Sequence, residues 1–183
     1  SLSLPGGVRV MVTYNEAIVT PAGVDPCPLP PLEGPRPLNI PGETVLEGWR
    51  VTAGILSSKG KTPPTPQDNR ETPDLSRGTA TPPETALLDR HSLGPSLCVR
   101  PWRPGDRFQP LGMSGTKKLQ DFFVDAKIPR VWRDRVPLVV STRGIAWVVG
   151  WRIAEWARVG SETEGALDIR FQRTDLHHAV QPR

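Results

Sequence analysis

Arg100-Pro-Trp-Arg-Pro-Gly-Asp-Arg-Phe-Gln-Pro-Leu-Gly-Met-Ser-Gly-Thr-Lys-Lys-Leu-Gln-Asp-Phe-Phe-Val-Asp-Ala-Lys-Ile-Pro-Arg130 is the stretch whose reading decides the fold. Leu119, Phe122, Phe123 and Ala126 recur at i, i+3, i+4 and i+7, one apolar stripe that predicts an amphipathic helix over Lys117–Lys127. Ser114 or Thr116 can cap its start, and Pro129 disfavours helix at Ile128. Upstream, Gly112 and Gly115 let the backbone approach an anion closely. A helix beginning after Thr116 offers free N–H groups, and Lys117 and Lys118 add full charges. This is phosphate-holding geometry, but not a nucleotide-triphosphate loop, because the Gly-x-x-x-x-Gly-Lys-Ser/Thr spacing is missing.

Working outward, Arg100, Arg103 and Arg107 approach that loop, and Arg130, Arg133 and Arg135 follow the helix. Residues 99–158 hold 12 Lys/Arg against 5 Asp/Glu, whereas 1–98 hold 8 against 10 and 159–183 hold 3 against 4, so one segment carries the whole positive excess. Five of the six tryptophans fall in the same segment, which is the footprint of a polyanion binder. Arginine forks suit phosphate oxygens. Arg100, Arg103, Arg107, Lys117, Lys118, Lys127, Arg130 and Arg133 are therefore the candidate RNA-backbone contacts. Trp102 and Trp132, each flanked by arginines, are expected to be exposed for stacking, and Trp147 and Trp151 to be core.

Nothing here assembles a catalytic set. Asp121 and Asp125 lie at i, i+4 opposite the apolar stripe beside Lys117 and Lys118, so surface charge pairing outweighs general acid/base work. Asp106, between Gly105 and Arg107, is expected to anchor a turn or orient an arginine. Cys27 and Cys98 lie too far apart for a metal knuckle or a redox pair and read as free thiols of a reducing compartment. His91, His177 and His178 are too few and badly spaced for a metal. No apolar run approaches a membrane helix, so the chain is expected to be soluble and cytoplasmic. It opens on Ser1 rather than Met, which reads as a fragment of something longer.

The remaining elements give an α+β fold that is mainly β. Val8–Tyr14 and Ala17–Thr20 read as a hairpin, and residues 21–42, with eight of the 22 prolines, as an extended surface connection. Thr44–Leu56 reads as strand with Val45, Trp49, Val51 and Ile55 in the core. Residues 57–86 hold six prolines and no aromatic residue, the composition of a disordered insertion. Leu97–Arg100 is a strand, Arg130–Arg135 a short helical turn, and Leu138–Ser141 and Ile145–Val149 a hairpin across the three-residue loop Thr142–Gly144. Leu167, Ile169 and Phe171 alternate with polar residues as a half-buried strand. The expected organisation is a β-rich module over 1–96, an α+β module over 97–160, and a tail over 161–183 with an edge strand at 166–172.

Arg-Pro-Gly-Asp-Arg-Phe, Pro-Leu-Gly-Met and Lys-Lys-Leu-x-Asp-Phe-Phe, followed by Ile128-Pro-Arg130, Arg133-Asp-Arg135 and Trp147-Val-Val-Gly-Trp-Arg-Ile153, resemble the carboxy-terminal domain of the tRNA(Ile)-lysidine synthetases. Leu4-Pro-Gly-Gly7 and Pro41-Gly42 resemble the preceding module of that family, while the proline-rich insertion and the residues beyond 160 depart from it. The resemblance implies a parent enzyme that uses ATP and magnesium to adenylate the wobble cytidine of an isoleucine tRNA. Lysine then displaces AMP to form lysidine. It also implies an α+β module similar to one in the β chain of phenylalanyl-tRNA synthetase, and partners in tRNA(Ile) and an amino-terminal catalytic domain, with a homodimer allowed. The family's ATP loop, Ser-Gly-Gly-x-Asp-Ser, is absent from this sequence, so the chain is expected to hold the tRNA body and acceptor stem, with no cofactor of its own and no catalysis alone. Two rivals stand beside this: a small nucleotide- or phosphate-binding enzyme using the Gly112–Lys118 loop, and a module whose basic face docks the catalytic domain.

Overall fold

Gly48 breaks the expected Thr44–Leu56 strand in two. It takes φ +70°, and a Cβ there would run into Pro30, so only glycine fits this tight bend. The computed structural model, which describes residues 2–4, 7–12, 17–25, 27–57 and 84–174, therefore has β5 (Gly42–Leu46) and β6 (Trp49–Ser57) as an antiparallel hairpin. Trp49 and Val51 are buried as expected and Ile55 partly so, but Val45 is 68% exposed, because β5 is an outer strand with one open face.

Upstream, β1 (Leu2–Leu4), β2 (Val8–Val12) and β3 (Ala17–Pro21) form a three-stranded antiparallel sheet, which includes the expected hairpin; its turn lies outside the described residues. The proline-rich connection is more than a surface tie. Leu29 is 5% exposed, and β4 (Arg36–Pro37) pairs with β8 (Leu97–Arg100) at a sheet edge, where proline's missing N–H is tolerated. The expected disordered insertion falls at 58–83, outside the described residues; its flanks, Ser57 and Thr85, already belong to strands.

The five-stranded sheet runs β13 (Arg152–Ile153), β12 (Gly144–Val148), β11 (Leu138–Ser141), β8, β4. Ser141 pairs with Gly144, so the hairpin loop is Thr142-Arg143 alone. The four-stranded sheet runs β5, β6, β14 (Gly165–Arg173), β7 (Thr85–Asp89). Here the expectation of an edge strand at 166–172 is corrected: β14 is bonded on both sides, to β6 along its whole length and to β7 over Ala166–Arg170. Its alternation was readable, with Leu167, Ile169 and Phe171 all at most 2% exposed, but alternation reports a buried face and not the number of neighbours.

Phe171 joins the sheets. Its ring meets Trp49 edge-on at 5.7 Å and Trp147 of β12 edge-on at 5.5 Å, so one core runs between the two sheets. Strands from before residue 96 and after residue 160 thus share a sheet, and β4 joins the sheet of the 97–160 segment.

Candidate nucleic-acid interface

Arg103-Pro-Gly-Asp106 is a tight turn with Gly105 at φ +90° and the Asp106 amide donating to the Arg103 carbonyl at 3.1 Å. The Asp106 carboxylate closes it. One oxygen accepts the Arg103 amide at 2.8 Å and an Arg100 N–H at 2.7 Å, and the other accepts the second Arg100 fork at 2.8 Å. Burial by itself raises this carboxyl, but the Arg100 hydrogen bonds, the Arg103 amide and both arginine charges outweigh it and hold it below the usual aspartate value. Both side chains of the pair are nearly buried, at 12% and 14% exposure. Asp106 is thus the turn anchor the sequence suggested, and Arg100 is consumed by it.

At the next residue the chain enters β9 (Arg107–Phe108), which pairs with β10 (Lys117–Lys118). Phe108 is buried against Phe122, with ring centroids 5.0 Å apart, which turns Arg107 outward. The register sets Lys118 directly opposite Arg107, and both are exposed. Helix α2 (Leu119–Asp125) begins only after this ladder, later than the expected Lys117. Its N-cap is Lys118 with no side-chain cap, so neither Ser114 nor Thr116 serves, and the Leu119 amide donates to the Asp106 carbonyl at 2.8 Å. The expected stripe is buried through Leu119, Phe122 and Phe123. Lys117 is paired with Asp125, the surface charge pairing foreseen for that carboxylate.

The helix ends in a Schellman motif: the Lys127 amide donates to Val124 and the Ile128 amide to Phe123. Lys127 occupies the left-handed position at φ +53°, the place glycine usually takes, and is the sole positive-φ non-glycine among the described residues. The 3-10 helix Arg130–Arg135 follows as expected. Arg130 is exposed; Arg133 is half-buried, bonded to the Ile128 carbonyl at 3.1 Å and lying over Phe123; Arg135 reaches back to Asp25 and the Leu29 carbonyl.

The Gly112 amide of the glycine loop is not left for an anion. Pro110–Met113 is a turn with Gly112 at φ +85°, and the Gly112 amide donates to the Glu155 carboxylate at 2.7 Å. Leu111 and Glu155 amides bond across to Ile153 and Gln109, so the loop is stapled to residues 153–155. Trp102 and Trp132 are also corrected from exposed to half-buried. Trp102 donates to Asp134 at 2.7 Å and meets Phe123 edge-on, and Trp132 packs on the core. Trp147 is buried and Trp151 half-buried. Of the eight candidate contacts, Arg103, Arg107, Lys118, Lys127 and Arg130 are exposed, and Arg100, Lys117 and Arg133 are turned to internal partners.

Residues 97–171 match the model described as TilS substrate C-terminal domain. The chain carries a domain of the TilS C-terminal family. It is 38% identical over 180 residues to a tRNA(Ile)-lysidine synthase of Dehalococcoides mccartyi, covering 94% of this chain and 35% of that one. A Symbiobacterium thermophilum protein of the same name is 38% identical over 173 residues, covering 94% and 33%. The chain thus spans about a third of the length of these relatives. A solved TilS C-terminal domain superposes with TM-score 0.54 and 27% identity over 74% of this chain and 92% of its own, in agreement with the mainly β, α+β TilS fold. The matched span reaches into β14, to residue 171, and so beyond the expected 97–160 module. Among the described residues no helix is long and apolar enough to cross a membrane, and Cys27 and Cys98 are free and half-buried.

Proposed function

We propose that this chain is the substrate-holding part of a tRNA(Ile)-lysidine synthase and that its TilS C-terminal domain grips the phosphate backbone of tRNA. The observation that carries the reading is the Arg107–Lys118 ladder pair. Like charges directly opposite across an antiparallel pair oppose folding. Here both remain exposed, with Arg103 on the adjoining turn. A phosphate lying over the pair relieves that repulsion, and duplex RNA is held mostly through shape and phosphate. The chemistry with ATP and magnesium belongs to a part of the enzyme that this sequence does not carry. The tRNA body and acceptor stem remain the assigned target.

Binding of tRNA(Ile) transcript, followed by fluorescence anisotropy over a salt series, tests the proposal. Arg107→Ala with Lys118→Ala should weaken binding and flatten the log-affinity versus log-salt slope by about two units. An unchanged slope removes the ladder from the interface. The nucleotide-binding rival is disfavoured by Glu155, whose carboxylate occupies the Gly112 amide where a phosphate would sit. Calorimetry with ATP and magnesium separates the two, since saturable binding by this chain favours the rival.

A further inference from the structure

Among the described residues three arginines lie over aromatic rings, and one of them differs from the others. Arg133 over Phe123 and Arg173 over Trp49 are half-buried and also bonded, Arg133 to the Ile128 carbonyl and Arg173 to Glu84 and the Pro28 carbonyl. Both are held as parts of the interior. Arg143 is exposed, sits 4.8 Å above the ring of half-buried Trp156, and has no carboxylate partner for its side chain among the described residues. Trp156 rests on the core, so the Arg143 guanidinium has an aromatic ring beneath it while the residue stays exposed to solvent.

Its neighbourhood adds one further cation, Arg90, with His91 beside it. Trp156 belongs to the 3-10 helix Glu155–Ala157, against which α1 (Arg90–Leu93) packs, and a Cβ on Gly94 just past α1 would lie 3.7 Å from Thr142 Oγ1. Arg90 and His91 of α1 are exposed and line a cleft of about 630 Å³ together with Ile55, Leu167 and Glu164. This cluster lies at the opposite end of the five-stranded sheet from the turn anchored by Asp106. In β8 and β11, Leu97 pairs with Ser141 beside the Thr142-Arg143 loop, while Arg100 pairs with Leu138 at the other end.

We propose that the Arg143–Trp156 stack, with Arg90 and His91, is a second RNA contact that takes an unpaired nucleotide next to a duplex end. It rests on the reading of this chain as an RNA-binding module. Bases within a duplex show their faces only to each other, whereas an unpaired base can lie on a flat guanidinium backed by an aromatic ring, its phosphate answered by nearby cations. A stacked pair therefore suits single-stranded RNA, as the Arg107–Lys118 ladder suits the backbone of a duplex.

Anisotropy with a blunt RNA hairpin, and with the same hairpin bearing a short 3′ single strand, tests the inference. The overhang should tighten binding by about tenfold, the order expected for one stacked base. Arg143→Ala should abolish that gain while leaving blunt binding nearly unchanged. Arg143→Lys keeps the charge, removes the plane and should lose most of the gain, and it provides a folded control if the alanine variant is damaged. No overhang gain in the unaltered chain, equal weakening of both RNAs by Arg143→Ala, or a full gain in Arg143→Lys each overturns the inference. Blunt-hairpin binding reports separately on the duplex grip, so the two readings fail independently.

Discussion

Arg100–Asp106 and Arg107–Lys118 are neighbours in the chain with opposite electrostatic character. The first pair joins unlike charges, nearly buried, with both terminal nitrogens of the arginine bonded; the second sets like charges side by side in water. The difference separates a cation neutralised inside the protein from cations whose charge stays unanswered, although Arg107 donates one N–H to the Thr116 carbonyl at 3.3 Å. A charge count over residues 99–158 treats them alike. The distinction lies in the turn at Gly105, which folds Asp106 back onto Arg100 and sends Arg107 outward.

The largest expected effect breaks the first pair. Asp106→Ala leaves the Arg100 charge nearly buried without a carboxylate partner and should lower unfolding free energy by about 3 kcal/mol, measured by urea denaturation. Titration reaches the same pair more gently. Because the folded carboxyl titrates below its unfolded value, its contribution is present above the unfolded aspartate range and is lost as pH falls through the depressed folded value. Thermal melts should therefore show acid destabilisation in the unaltered chain that is reduced in Asp106→Asn.

Smaller changes sharpen the second side. Lys127→Gly removes a side chain from a left-handed backbone position and should stabilise the fold by about 1 kcal/mol while weakening tRNA binding. A gain in stability with unchanged binding would place Lys127 outside the interface. Lys118→Glu converts the ladder pair into an attraction and should add about 0.5 kcal/mol of stability while sharply reducing affinity. Stability and binding moving together would show that the ladder is structural.

Much of this was legible from residues. The stripe Leu119, Phe122, Phe123 located the helix, the Arg130–Arg135 turn stood between two prolines, and the alternation around Ile169 gave a strand. What escaped the sequence depended on partners distant in the chain. Lys117 and Lys118 continue a helical pattern, yet pairing with Arg107 and Phe108 draws them into a ladder. Gly112 looked free to meet an anion, but its acceptor, Glu155, is 43 residues away. Arginine-flanked Trp102 and Trp132 looked exposed because local sequence does not show Phe123 and the rest of the core beneath them.

Strand β14 has a kinetic consequence. During synthesis, β5, β6 and β7 leave the ribosome well before β14, which sits between β6 and β7 in the sheet, so the edges of β6 and β7 that face it wait without their hydrogen-bond acceptors and donors. Such long-range closure makes sheet completion a late event in folding. Shortened versions ending before Gly165 would leave those edges permanently open, and open strand edges recruit other chains, so inclusion bodies rather than a smaller soluble module are the expected product.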